Sequence, residues 1–394
     1  MPEGKTKSIT DKLNSLGQVQ VIDSLAAWAS RYKLPFAVYR LPGQKHYCFL
    51  AGTTARTIAE DGLAEAGAGF LFSPYAGEHY FIDQGVFYSA AENRLTISPN
   101  WPQHIPTDSL NEDNGRWQPY TSGNSITETT AAEYIDYVNK CIAEIRQSEL
   151  IKAVPSRTKL ISLPAGQSLS RLFHKLCQEY ANAFVSILSV PEFGTWMGAT
   201  PESLIEVDSK GIFKTMSLAG TQPYTSSQPL HTLPWTQKEI EEQAMVSRYI
   251  INRFKEIRLR EFEEVGPRTV SAGNLAHLCS TFTVDTKATN FPDLGPVMLK
   301  LLHPTSAVCG MPKPQAQALL SGLEKHQRKL YSGYLGPVNM AAGSYIYVNL
   351  RCMEVLQDKA VLYAGAGVTA YSVAADEWQE TELKCNTLLN VIRQ

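Results

Sequence analysis

Apolar residues recur with helical spacing from Val19 through Ile22 and Leu25 to Trp28, which predicts a short helix, and beyond it the period shortens toward two. Short apolar runs at 36–39 and 47–50 flank Pro42-Gly43, the signature of a hairpin, and 69–73, 80–82 and 86–88 continue a strand-rich N-terminal third. Residues 101–130 are rich in Pro, Asn, Ser, Thr and Gly and predict a long loop joining two layers. Thr130-Ala-Ala-Glu133 then carries a capping box ahead of a helix whose stripe is Tyr134, Ile135, Val138, Ile142 and Ile145. Further on, the pattern predicts strands at 151–155, 183–190, 194–207, 211–218, 334–340, 344–354 and 360–368. Helices are expected at 169–180 and 236–258, the second with a stripe of Ile240, Met245, Tyr249, Ile250 and Phe254. Strands grouped as hairpins, with helices between the groups, imply an α+β fold with a mostly antiparallel sheet rather than a doubly wound one. Residues 1–130 read as a strand-rich part of the same fold and 131–394 as the core that carries the chemistry.

Composition narrows the function. The chain has 394 residues, 44% of them hydrophobic, enough for a large core, and a formal net charge of -2 that gives no reason to expect nucleic acid or an anionic membrane as partner. No apolar run is long enough for a membrane span, and the first residues lack a secretory pattern, so a cytoplasmic protein is expected. Seven scattered cysteines without a C-x-x-C pair read as reduced packing residues.

Candidate chemistry concentrates at the last strand-to-helix corner. There, Gly365 and Gly367 follow a buried strand and permit close approach of backbone amides, while Glu377, Glu380 and Lys384 share one face of the next helix. That face suits a divalent cation or an anion, although a solvated salt-bridged helix would look the same. Lys152 sits in a short apolar strand, where an ammonium is costly unless paired or deprotonated. Glu202 follows a Thr-Pro turn, where a cleft would raise its pKa. Glu239, Glu241 and Glu242 are first-turn acids that a helix dipole favours without any ligand. Gly365-Ala-Gly-Val-Thr-Ala370 formally fits a dinucleotide fingerprint, but too little chain follows for a βαβ unit, and a nicotinamide-dependent oxidoreductase is set aside.

Five stretches complete an ordered series: Ala199-Thr-Pro-Glu202, Leu218-Ala-Gly-Thr221, His277-Leu-Cys-Ser-Thr281, Leu302-His-Pro-Thr-Ser-Ala-Val-Cys-Gly-Met-Pro312 and Arg328-Lys-Leu-Tyr-Ser-Gly-Tyr-Leu-Gly-Pro337. The last three of these read as turn-rich. With the C-terminal corner, this series resembles the chorismate-utilising enzymes, which include isochorismate, salicylate, anthranilate and aminodeoxychorismate synthases, from about Ala131 to the C-terminus. The resemblance implies one large domain, an antiparallel β-sheet sandwich surrounded by helices, with a Mg²⁺-dependent chorismate site. By position, Glu242 and Glu380 match the metal ligands and Glu377 an acidic neighbour supporting the metal's water shell. Gly220, Thr221, His277, Ala307, Tyr331, Arg351, Gly365 and Lys384 match residues that hold or wall in the substrate. Lys152 matches the residue that activates water and Glu202 the general acid on the opposite ring face. Chorismate is a dianion, so an acidic site needs an intervening cation, and Mg²⁺ binds through one or two carboxylates while keeping waters.

Lys152 marks water as nucleophile, and no glutaminase nucleophile motif is present, so isochorismate synthase is favoured over the amine-transferring synthases and no glutaminase subunit is expected. Ala307 stands where salicylate synthases usually carry threonine, which favours stopping at isochorismate without pyruvate loss. Gln243, Glu239 and Ser306 depart from the family pattern but remove no charged catalytic group. A non-catalytic chorismate-binding relative is disfavoured because every charged candidate is retained. Isochorismate would feed menaquinone or siderophore biosynthesis, menaquinone being the more widespread use, and a monomer is expected.

Overall fold

Strand β1 (Phe36–Arg40) buries every residue, and the alternation of strand side chains shows why: Phe36 and Val38 point into one apolar layer, Ala37 and Tyr39 into another. It lies in a nine-stranded sheet in the order β7 (Arg94–Ile97), β6 (Val86–Ser89), β2 (Cys48–Ala51), β1, β10 (Phe184–Val190), β11 (Gly194–Thr200), β19 (Cys352–Val355), β20 (Lys359–Gly365), β9 (Ser156–Ser162). A second nine-stranded sheet runs β14 (Glu263–Ala272), β15 (Leu275–Asp285), β13 (Ile212–Pro223), β12 (Ser203–Asp208), β18 (Gly343–Val348), β17 (Tyr334–Val338), β4 (Gly69–Ser73), β5 (His79–Asp83), β3 (Ala55–Ile58). Neighbouring strands in both pair antiparallel, and β8 (Lys152–Ala153) pairs with β16 (Gly310–Met311) in a separate two-stranded ribbon. The computed structural model describes residues 16–59, 61–102, 117–123, 127–224, 229–272 and 275–394; the expected 101–130 loop falls largely on 103–116 and 124–126, outside the described residues.

The fold is a single α+β domain of four layers. Between the sheets, Tyr39, Phe184, Trp196 and Tyr363 meet Phe70, Phe72 and Tyr347, with Phe184 and Tyr347 stacked at 4.3 Å. Outside the first sheet pack α1 (Gln18–Arg31), α3 (Leu169–Glu179) and the C-terminal half of α7 (Ala374–Ile392). Outside the second pack α4 (Gln237–Glu256) and α5 (Leu294–Leu302), and a smaller cluster joins α2 (Ala131–Gln147) to α6 (Lys313–Leu323). The capping box at the start of α2 forms as expected, the Thr130 amide donating to Glu133 Oε2 over 2.9 Å. All seven cysteines are free, and among the described residues no helix is long and apolar enough to cross a membrane.

Two expected strands prove to be pairs of strands in different sheets. The 194–207 run breaks at Pro201 and Glu202, and the 344–354 run at 349–351, where Arg351 adopts φ +48°. The breaks are stitched together: Val348 N donates to Glu202 O at 3.0 Å and Ala199 N to Arg351 O at 3.1 Å. Apolar content continues through both crossings because each strand is buried, so no composition change marks the turn. His277–Thr281, expected to be turn-rich, lies inside β15. The 151–155 strand shrinks to two residues with Ile151 47% exposed, and Ile240, expected on a buried stripe, is 45% exposed while Gln243 is buried. Strand β14, read as no element, is a polar edge strand whose exposed first half offers no apolar period.

Candidate active site

The two chain crossings bring Glu202 and Arg351 into the lining of one cavity, and nearly every other expected site residue joins them. Glu202, Gly220, Thr221, Glu242, His277, Ala307, Tyr331, Arg351, Gly365, Glu380 and Lys384 all line it, around about 670 Å³ of atom-free space that includes its mouth. Lys152 and Glu377 are not among the lining residues: Lys152 pairs with the lining Glu242, and Glu377 with Lys238, which does not line the cavity either.

Lys152 is held in the β8 ribbon by pairing with Met311, and its Nζ donates to Glu242 Oε1 over 2.7 Å, with 1% of its side chain exposed. Burial would raise the Glu242 pKa, yet Lys152, together with Lys384 and Lys238, outweighs it and holds the carboxyl below its ordinary value. Gly367 is what lets this pair form, since a Cβ there would lie 2.6 Å from Glu242 Oε1 and 2.9 Å from Lys152 Cε. Glu380 pairs with Lys384 at 2.6 Å one helical turn on, and Lys384 also donates to Gly365 O at 2.7 Å. The Gly365 position tolerates no side chain either, because a Cβ would meet Pro155 O at 2.8 Å and Tyr331 Oη at 3.1 Å.

Glu202 is the carboxyl in the opposite situation. Burial pushes it up to about 7, against the pull of Lys152, Arg351 and Lys384. His277 is driven the other way, to about 3, by burial and then by the positive charge of Arg351. Its Nδ1 lies 2.7 Å from Gly220 O, an acceptor only, so Nδ1 carries the proton. Nε2 is left as a buried acceptor without a protein partner. Gly220 presents that carbonyl from a left-handed turn, φ +70°, at an irregularity of β13. The Arg351 guanidinium donates no hydrogen bond to any described residue, leaving its planar donors for a ligand, while Tyr331 stacks on Tyr363 at 5.5 Å as the opposite wall.

Sequence reasoning missed Lys238. Its spacing four residues before Glu242 predicts an ordinary pair within the helix, but its Nζ reaches across to Glu377 Oε1 at 2.6 Å on α7. Burial, and then Glu380, raises the Glu377 pKa; its Oε2 is buried with no partner in hydrogen-bond geometry. Gln243, where the family pattern has histidine, is buried and donates to Ser217 Oγ at 2.8 Å, which anchors α4 to β13.

Three carboxylates (Glu242, Glu377, Glu380), and Glu202 with its carboxyl raised to about 7, thus face four cations (Lys152, Lys238, Lys384, Arg351). The acids do not by themselves repel an anion, because each acid of the metal set already has a lysine. Those lysines are taken up by the acids, so a dianion entering the site still lacks most of its counter-charge, and a divalent ion would supply it. Among the described residues no group of three or more His, Cys, Asp or Glu could hold a metal. Of the three carboxyl groups that line the cavity, Glu202 is raised to about 7, and the donors available are those of Glu242 and Glu380, oxygen-only and few, a set that fits Mg²⁺ completed by water and substrate oxygens.

Comparison with known proteins identifies the family. A family model described as chorismate binding enzyme matches residues 78–393. The isochorismate synthase EntC of Escherichia coli (strain K12) is 26% identical over 272 residues, 68% of each chain, and the isochorismate synthase DhbC of Bacillus subtilis (strain 168) is 28% identical over 273 residues, 66% of this chain and 67% of that one. Among solved structures, MenF, the menaquinone-specific isochorismate synthase from Escherichia coli, superposes with a TM-score of 0.75 at 17% identity, covering 93% of this chain and 91% of that one.

Proposed function

The chain belongs to the chorismate-binding enzyme family, and on that footing we propose that it is an isochorismate synthase, adding water at C2 of chorismate and expelling the C4 hydroxyl. Water enters and water leaves, so the reaction needs one group to take a proton and another to give one. The observation that carries the proposal is the pair of opposed environments on separate elements: a buried carboxyl raised to about 7 at Glu202 and a buried lysine at 152. Glu202, in the protonated fraction that its raised pKa keeps at neutral pH, gives its proton to the departing hydroxyl. Lys152, as the neutral amine, takes one from the attacking water.

The remaining residues bind and orient. Arg351 clamps a substrate carboxylate with planar paired donors, and Lys384, anchored on Gly365 O, adds a point charge. His277, neutral and protonated on Nδ1, offers Nε2 as acceptor to a ring hydroxyl. Glu242 and Glu380 would hold Mg²⁺, with Glu377 behind them, and the ion would supply Lewis-acid polarisation of the ring carboxylate. The proposal extends to a cytoplasmic monomer that works without a glutaminase subunit and supplies menaquinone or siderophore biosynthesis.

Incubation of the purified protein with chorismate and Mg²⁺, followed by chromatography and mass spectrometry, tests the reading. A product of unchanged mass is expected. Salicylate with equimolar pyruvate would replace it by the lyase reading, and no conversion at all would overturn it. Lys152→Ala is expected to lower turnover at least about 10²-fold with an unchanged circular dichroism spectrum, the usual magnitude for losing a general base.

A further inference from the structure

The three acid–lysine pairs around the proposed cation site are not equivalent. Lys238 is 36% exposed and bridges two helices from outside. Lys384 has a second anchor in Gly365 O and keeps its place whatever happens to Glu380. Lys152 has neither exposure nor a second anchor: Glu242 is the only acceptor of its ammonium among the described residues, and the pair fills the space that a Cβ at Gly367 would need. The pair also ties the lysine to a carboxylate that lines the cavity, while Lys152 itself is not among the lining residues. One carboxylate is therefore claimed by two cations, a lysine that must leave it to work and a divalent ion that must reach it.

We propose that Lys152 and the divalent cation compete for the Glu242 carboxylate, so that cation binding is the event that releases the Lys152 side chain toward the cavity. This rests on the reading of Glu242 and Glu380 as cation ligands. It makes the cation an assembly signal for the catalytic constellation as well as a charge balance. Buried ion pairs are strongly coupled, since loss of one partner leaves the other uncompensated. Replacing the lysine by a neutral side chain of similar length therefore leaves a bare buried carboxylate for the metal.

Two measurements on the full chain test this without reference to turnover. Calorimetric titration with Mg²⁺ is expected to give a dissociation constant at least roughly tenfold lower for Lys152→Met than for the wild type, with Lys152→Gln as a second variant should the first fold poorly. Covalent labelling of wild-type lysines by an amine-reactive reagent, mapped by mass spectrometry, is expected to modify Lys152 several-fold faster in Mg²⁺ than in chelator. Equal or weaker Mg²⁺ affinity in the variants, or labelling of Lys152 that ignores Mg²⁺, overturns the competition alone and leaves the metal reading intact. Absence of Mg²⁺ binding to every protein overturns both.

Discussion

A single methyl group added at residue 367 would fall 2.6 Å from a carboxylate oxygen of Glu242 and 2.9 Å from Lys152 Cε, so Gly367→Ala is expected to displace both side chains from the positions they need in the site. The expected result is a loss of kcat/KM of about 10²-fold or more, the scale of a 1 Å misplacement, with a nearly unchanged melting temperature. Gly322→Ala, in open space on α6, serves as the control and should leave activity unchanged while stabilising by about 0.4–1 kcal/mol. Glu202 sets the pH behaviour. Its folded pKa of about 7 exceeds the ordinary 4.5, so between these values the folded state binds the extra proton and stability falls as pH rises. That decline amounts to on the order of 3 kcal/mol and should vanish in Glu202→Gln, which is checked by urea unfolding from pH 4.5 to 8. Turnover should fall through about pH 7 for the same reason, since only the protonated carboxyl donates. Eleven of the expected site residues line the cavity: Glu202, Gly365, Glu380 and Lys384 stood out from their own turn, glycine corner and helix face, and the others were legible only through the resemblance to a known family. Which lysine serves which acid is not visible there, since Lys152 and Glu242 meet only through tertiary packing.

At the scale of elements, the site depends on α4 and α7 meeting at their first turns, and the Lys238–Glu377 bridge is the bond that joins them. Lys238→Met should therefore raise the Mg²⁺ concentration needed for half-maximal activity several-fold while kcat at saturation stays close to wild type. It should lower stability by about 1–3 kcal/mol, the cost of a buried carboxylate losing its partner, as measured by chemical denaturation. Lys238→Arg, which keeps the charge, should rescue most of both. Helix α2 was legible from its Thr-x-x-Glu box and α4 from its apolar stripe, and in the structure Thr236 and Glu239 cap α4 in the same way. The crossings at Pro201 and at 349–351 were not, because strands buried on both faces carry no alternation to interrupt. The residues that escape strand periodicity there, Glu202 and Arg351, are the ones the cavity uses.

At the scale of the whole molecule, the antiparallel α+β class followed from hairpins separated by helices, but the strand order did not. Strand β1 pairs with β10, and β17 with β4, partners remote in the chain and specified by complementary packing rather than by any local turn. The layer between the sheets is the shared core, and Phe184→Ala, which removes the ring stacked on Tyr347, should cost about 3–5 kcal/mol in a single cooperative urea transition. One consequence concerns the two carboxylates that would grip the ion. Glu242 rides on a helix seated against one sheet and Glu380 on a helix seated against the other. Any change in the thickness of the aromatic layer is therefore transmitted to their separation, which makes ion affinity a strain gauge for the interior. Hydrostatic compression, or volume-altering replacements far from the cavity, should retune it without touching a single ligand.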